Sequence, residues 1–379
     1  MLNVLLLMKL ALDFMTVQRG ASFLLCLLVS ALVLLRTQVV EVRSAAAMRA
    51  MVGFVLLIVL AWLQSGHVAM AFRYVGLLLL AVAIPVCLTR RSPQSLLGSA
   101  TLLLWANLLF GVLCIVRAVA TGVYAERTFL PFEHANLFGS YILSSVPLLF
   151  VVEARQGIRW DYRLAFIGLA WASTSTGSGM LSLLLLLNFA RISSGQILRT
   201  VLMAALVGLV GEAGLAMFNP ELHTKIFSPF AFVTDFGMGT LFDAARIGYS
   251  LYDFGPEYES SLTWRIYAYV VFLTDVMSSS LASILFGRGF SGYEVVWNGY
   301  MPHNDFILTL VDFGVIGLVV VFYMLRRLLL FVRSHRELIA LVPILIFRLM
   351  FENNIYSFYL MSSLVINSSF LLMAYRRRA

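Results

Sequence analysis

Apolar runs recur along almost the whole chain, and many are long enough to carry a helix across the roughly 30 Å hydrocarbon core of a bilayer. No other feature restricts the fold as strongly. The runs fall at 2–16, 19–36, 50–64, 69–88, 96–119, 135–152, 164–174, 178–190, 197–217, 304–325, 337–350 and 355–375. They predict an all-α polytopic membrane protein with about 12 transmembrane helices, in a range of 10–13. Composition agrees, with a mean hydropathy of +0.92 and 12% charged residues, against roughly 25% in a soluble domain.

Arginine placement predicts the topology. Arg36, Arg43 and Arg49 share one connection, Arg90 and Arg91 a second, and Arg155, Arg159 and Arg163 a third. Arg191 and Arg199 make a fourth, Arg326, Arg327, Arg333 and Arg336 a fifth, and Arg376 to Arg378 close the chain. With twelve crossings these 17 of the 27 basic residues fall on one side, which becomes cytoplasmic together with both termini. Topology thus accounts for the net charge of +8, and no nucleic-acid partner is expected. Cys26, Cys87 and Cys114 lie in apolar runs without CxxC spacing and read as small buried hydrophobes. The run after Met1 lacks a basic leader and a cleavage site and reads as a retained first span.

Three regions follow. Residues 1–217 form an N-terminal bundle of about nine spans, 218–303 a long extracytoplasmic loop, and 304–379 the C-terminal spans with a basic tail. The loop's 86 residues carry eight acidic side chains (Glu221, Asp235, Asp243, Asp253, Glu257, Glu259, Asp275, Glu294) against four basic ones, the reverse of the cytoplasmic side. Its stretch "SLTWRIYAYVVFLTDVMSSSLASILFGRG" is too apolar for a disordered linker. Trp264, Ile266, Tyr267, Val270 and Val271 fit one helical face, as on a helix lying across the mouth of a bundle. Compact loops of this length are usually functional. Earlier in the chain, "ASTSTGSGM" interrupts two aliphatic runs between Arg163 and Arg191. It reads either as a cavity-lining turn or as small residues that let helices approach.

The polar residues that carry chemistry gather at the outer ends of spans. Arg265 in "TWRIY" has no topological reason to be outside, and its fork of donors suits phosphate oxygens; a salt bridge to Glu257 or Glu259 is the plainer account. Arg288 lies between Gly287 and Gly289, which lets the backbone approach an anion closely, or else it is solvated beyond a helix end. His303 follows Pro302 and precedes Asn304 and Asp305 at the start of a span, where an imidazole can take up a proton near neutral pH. The alternative is an Asn/Asp helix cap with an incidental histidine. His134 and Asn136 in "FEHANLFG" form a second polar cluster at the same depth. Gly314 and Gly317 would allow close helix packing within the span at 304–325, where Asp312 has no evident partner. Neither HExxH, GxSxG nor GxxxxGK occurs, so metal, serine-elbow and nucleotide chemistry lack support, and no cofactor is expected.

Several of these elements, taken in order, resemble the O-antigen ligase/polymerase superfamily of bacterial envelope enzymes. "FEHANLFG" is similar to its F-x-H-x-N-x-x-G element, "LAWASTSTGSG" to its Ser-rich element, "WRIYAYVVF" and "ILFGRGF" to its loop helix and Gly-x-Gly end, and "PHNDFILTLVDFGVIGL" to its His-Asn element and following span. The likeness covers roughly residues 70–375. It implies a metal- and nucleotide-independent glycosyltransferase in the bacterial inner membrane, with its active site facing the periplasm. Such an enzyme is an O-antigen or exopolysaccharide polymerase, moving a glycan from undecaprenyl diphosphate to a lipid-linked repeat unit. The related activity is that of a ligase acting on lipid A core, and a transporter of lipid-linked sugars is the alternative from a different class. His303 becomes the catalytic histidine and Arg265 a diphosphate contact, with Arg288, His134, Asn136, Asn304 and Arg246 as substrate-binding residues. Membrane lipids, the undecaprenyl-diphosphate-linked oligosaccharide, a flippase and a chain-length regulator are the partners it admits. One departure stands out: the family's arginine after its Ser-x-Ser pair is missing after Ser175, so that role would pass to Arg127 or Arg246.

Overall fold

The computed structural model describes residues 2–14, 19–36, 45–122, 135–173, 220–255, 258, 261–297, 300–335, 338, 341–351 and 356–376. Regular structure among them is helical. The N-terminal part comprises α1 (Leu2–Phe14), α2 (Arg19–Arg36), α3 (Ala45–Ser65), α4 (Val68–Thr89), α5 (Pro93–Ala120), α6 (Ala135–Leu143), α7 (Val146–Gln156) and α8 (Trp160–Ser173). Then follow α9 (Pro220–Arg246), a 3-10 turn (Leu251–Phe254), α10 (Ser261–Ser278), α11 (Leu281–Phe286), α12 (Tyr293–Val296), α13 (Asp305–Arg333), α14 (Leu341–Phe351) and α15 (Phe358–Arg376). Start signals are local. Ser92 accepts from the Ser95 N–H ahead of Pro93 to open α5, and the Asn304 side chain accepts from the N–H groups of Phe306 and Ile307 to open α13.

The protein is a multi-pass helical membrane protein, but the expectation of about twelve crossings is corrected. Among the described residues five helical segments are long and apolar enough to cross: Val68–Thr89, Pro93–Ala120, Leu137–Gln156, Asp305–Arg333 and Phe358–Arg376. Among the described residues the other apolar runs form shorter apolar helices. With 13, 14 and 11 residues in α1, α8 and α14, they reach only about 17–21 Å at 1.5 Å per residue. Among the described residues, Ser22–Ala31 of α2 and Val52–Ser65 of α3 are shorter apolar helices. The runs at 178–190 and 197–217 lie outside the described residues. The even count that set both termini in the cytoplasm goes with the correction. Hydropathy registers removal from water, whether into lipid or into protein.

α15 stands at the centre, packed against α2, α4, α5, α6 and α7. The largest core runs through these helices, from Leu80, Ile84 and Leu104 to Phe138, Leu149 and Phe370. Along α5, by contrast, Leu102, Trp105, Leu109, Val112, Leu113 and Val116 stay exposed at helical spacing, an apolar stripe suited to lipid. The third crossing is broken between α6 and α7, where Pro147 cannot donate to the Leu143 carbonyl. The Ser144 carbonyl at the break accepts from the Asn367 side chain of α15 at 3.0 Å. Irregular backbone at such depth persists because protein satisfies it.

Residues 220–297 build a separate helical layer. α9, which kinks at Gly237, lies along α10, and Phe232, Leu241, Leu251, Tyr267, Val270 and Val271 form a core of their own. Tyr267, Val270 and Val271 are buried as the helical pattern required, while Trp264 and Ile266 stay half-buried. α10, α11 and α12 then fasten this layer to α13.

Candidate functional site

The fastening is made at a break in α13. Gly314 has φ +67° and ψ −165°, so the helical ladder cannot run through it. Two carbonyls just before the break turn to the loop between α11 and α12. The Arg288 N–H donates to Val311 O at 2.7 Å and the Gly289 N–H to Asp312 O at 3.0 Å. Only glycine fits on either side. A Cβ on Gly287 would lie 2.3 Å from the Asp312 carbonyl, and one on Gly314 would lie 2.3 Å from Leu285 O. Gly314 is thus a helix break, and the expected helix-packing notch is corrected to a backbone-to-backbone seat for the loop.

Asp312, without an evident partner in the sequence, is fully buried beneath that loop. Its carboxyl accepts from the Gly292 N–H at 3.2 Å and from the Tyr356 hydroxyl. Tyr356 in turn accepts from the Ser291 N–H at 2.8 Å. Burial, and then the neighbouring Asp312, push the Tyr356 hydroxyl well above the ordinary phenol range, so it remains a donor. One carboxyl and one phenol therefore pin two consecutive loop residues, Ser291 and Gly292, against α13.

His303 sits at the start of α13, half-buried, with φ +47°, a conformation that costs a non-glycine residue about 1–2 kcal/mol. Its ring meets the edge of Trp264 on α10 at a centroid distance of 5.0 Å. Arg265, also half-buried, is the next residue of that helix. The fold therefore brings the first turns of α10 and α13 together around one indole. Trp264 is further stacked on Trp297 (5.2 Å, 25° between planes), and Tyr300 lies against both, at 6.4 and 5.3 Å. Sequence reasoning missed this cluster. The signal was the run "WNGYMPH", which sets Trp297 and Tyr300 within six residues of His303.

Other candidates are placed differently. Arg288 is engaged with Asp275, its Nε and Nη2 donating to the two carboxylate oxygens at 3.1 and 2.6 Å and Nη2 also to Ser279. Its guanidinium is held by that carboxylate while the side chain stays partly exposed. Asp275 lies ten residues beyond Arg265 on α10, or about 15 Å at helical rise. The two arginines are therefore not gathered at one point. Arg246 is exposed and pairs with Asp243 at 3.0 Å. Asn304 is buried and spends its side-chain oxygen on the helix cap. Asn136 falls in α6, with its side chain outside the described residues; His134, Arg127, Glu257, Glu259 and the Ser-rich stretch after Ser173 lie outside them too. No cluster of three or more metal-ligating side chains occurs among the described residues.

The arrangement can abstract a proton at His303 and offer a cation at Arg265 beside aromatic faces. Compared with known protein families, curated proteins and solved structures, the chain matches none.

Proposed function

We propose that the chain is a membrane glycosyltransferase that moves a glycan from a polyprenyl diphosphate onto an acceptor hydroxyl at the outer face of the bacterial inner membrane. The observation that carries the reading is His303. It is a half-buried imidazole held in a costly backbone conformation at the start of a spanning helix, against the indole that precedes Arg265. Strain of this kind collects at functional sites. The likeness of "PHNDFILTLVDFGVIGL" and its companions to the O-antigen ligase/polymerase superfamily supports the same reading.

In the reaction His303 takes the proton from the acceptor hydroxyl as that oxygen attacks the anomeric carbon. The bond from this carbon to the diphosphate oxygen breaks, and its electron pair leaves with the polyprenyl diphosphate. Arg265 balances the charge that develops there. A single displacement inverts the anomeric centre. A lipid-linked repeat unit is the proposed acceptor, which makes the protein a polymerase; lipid A core in its place would make it a ligase. The test is chain elongation by His303→Asn, since asparagine tolerates positive φ and lacks the base. A roughly 10²–10⁴-fold loss of rate is expected with folding retained. Near-normal elongation overturns the assignment.

A transport reading is favoured by one observation: the spans at α6–α7 and α13 are both broken, as in carriers that grip substrate at discontinuous helices. Movement of labelled lipid-linked oligosaccharide across proteoliposomes without any new glycosidic bond would favour it.

A further inference from the structure

Tyr300 is the most exposed ring of the cluster around Trp264. It shows 54% of its surface, whereas Trp264 and Trp297 are half-buried and stacked on each other. The stacked pair lies against Tyr300, and Phe272 and Tyr267 close around Trp297 at 6.3 and 6.2 Å. A ring so supported loses little freedom when a ligand settles on it. It also sits three residues before His303, and both rings touch the same indole.

We propose that Tyr300 is a stacking platform for a sugar ring of the glycan, the residue next to the one that reacts. The proposal rests on the glycosyltransferase reading and names which part of the substrate this face takes. A pyranose has a face of C–H bonds ringed by hydroxyls. An aromatic face with a polar tip matches it, the apolar body meeting the C–H face and the phenol hydroxyl meeting the rim. A polyprenyl tail needs neither the tip nor a fixed plane, and a diphosphate needs cations, which Arg265 offers and Tyr300 does not. Lone aromatic residues at a membrane boundary commonly anchor to headgroups. Such an anchor has no need of a stacked indole pair behind it or of an imidazole on the same indole.

The experiment uses the full chain in nanodiscs and two probes: bare polyprenyl diphosphate, and lipid-linked oligosaccharide extracted from the cells that make the protein. Equilibrium binding is measured for wild type, Tyr300→Ala, Tyr300→Phe and His303→Asn. Wild type is expected to bind the glycan-bearing lipid more tightly than the bare one. Tyr300→Ala should weaken binding of the glycan-bearing lipid roughly fivefold to tenfold and leave the bare lipid unchanged. Tyr300→Phe should keep most of the preference, and His303→Asn should keep all of it. In turnover, Tyr300→Ala should raise KM by the same factor with kcat nearly unchanged. Equal binding of both lipids by wild type, or an undiminished preference in Tyr300→Ala, overturns the platform, and so does an equal loss for both lipids. Glycan preference with no transfer by wild type sinks the transferase reading and leaves the platform standing.

Discussion

At the scale of single residues, backbone conformation and burial separate the candidates that sequence alone grouped together. His303 and Asn304 are neighbours, yet Asn304 is consumed by capping α13 while His303, at φ +47°, turns its ring to Trp264. Tyr267 shows the opposite use of a polar tip. Its hydroxyl donates to Tyr249 O at 2.7 Å, and burial, reinforced by Asp253, pushes its pKa up to about 12. An unfolded phenol ionises near pH 10. Between there and about 12 the folded protein holds the extra proton, so stability present below pH 10 is lost as pH rises through that window. Tyr267→Phe removes this dependence. Thermal melts of the two proteins should therefore converge as pH is raised from 8 towards 12, and a constant difference would contradict the linkage.

At the scale of elements, α13 works because it is interrupted. An unbroken helix would satisfy its own carbonyls and leave the loop at 287–292 unattached; the break at Gly314 turns Val311 O and Asp312 O towards Arg288 and Gly289. Gly314→Ala would set a Cβ 2.3 Å from Leu285 O and 2.6 Å from the Gly287 nitrogen, on a backbone with φ +67°. A loss of about 3 kcal/mol or more is expected. Gly98→Ala in α5, where a Cβ meets nothing within 4 Å, should instead gain up to about 1 kcal/mol from helix propensity. Unfolding in detergent measures both. Equal effects would show that the break is not what holds the loop.

At the scale of the whole molecule, a buried ion pair joins the ends of the chain. Lys9 bonds Asp13, the Ser363 hydroxyl at 2.6 Å and Tyr359 O at 3.1 Å, while Ser22 donates to Asp13 at 2.6 Å. Lys9 and Asp13 are each 4% exposed, so α1, α2 and α15 meet at a desolvated charge pair. Lys9→Met alone should cost about 3–5 kcal/mol by stranding the carboxylate, whereas Lys9→Met with Asp13→Leu should recover most of it. Thermal unfolding checks this, and a double variant no better than the single would refute it. The helical, multi-pass character was legible beforehand, and the number of crossings was not. Local signals, such as Ser92 before Pro93 or the pattern over Trp264 to Val271, depend on neighbours in sequence and survive folding. Of the residues the sequence singled out, His303 meets the indole that precedes Arg265, whereas Arg288 is held by Asp275, which lies 13 residues earlier in the chain. The sequence by itself determined that the chain is helical, apolar and bound for a membrane, because those properties follow from composition and local spacing. Only the tertiary structure decided which of the described runs are long enough to cross and which polar groups pair. Hydropathy does not distinguish lipid from protein as the medium that replaces water, and contacts such as Lys9 with Ser363 or Asp312 with Tyr356 join residues that nothing local connects.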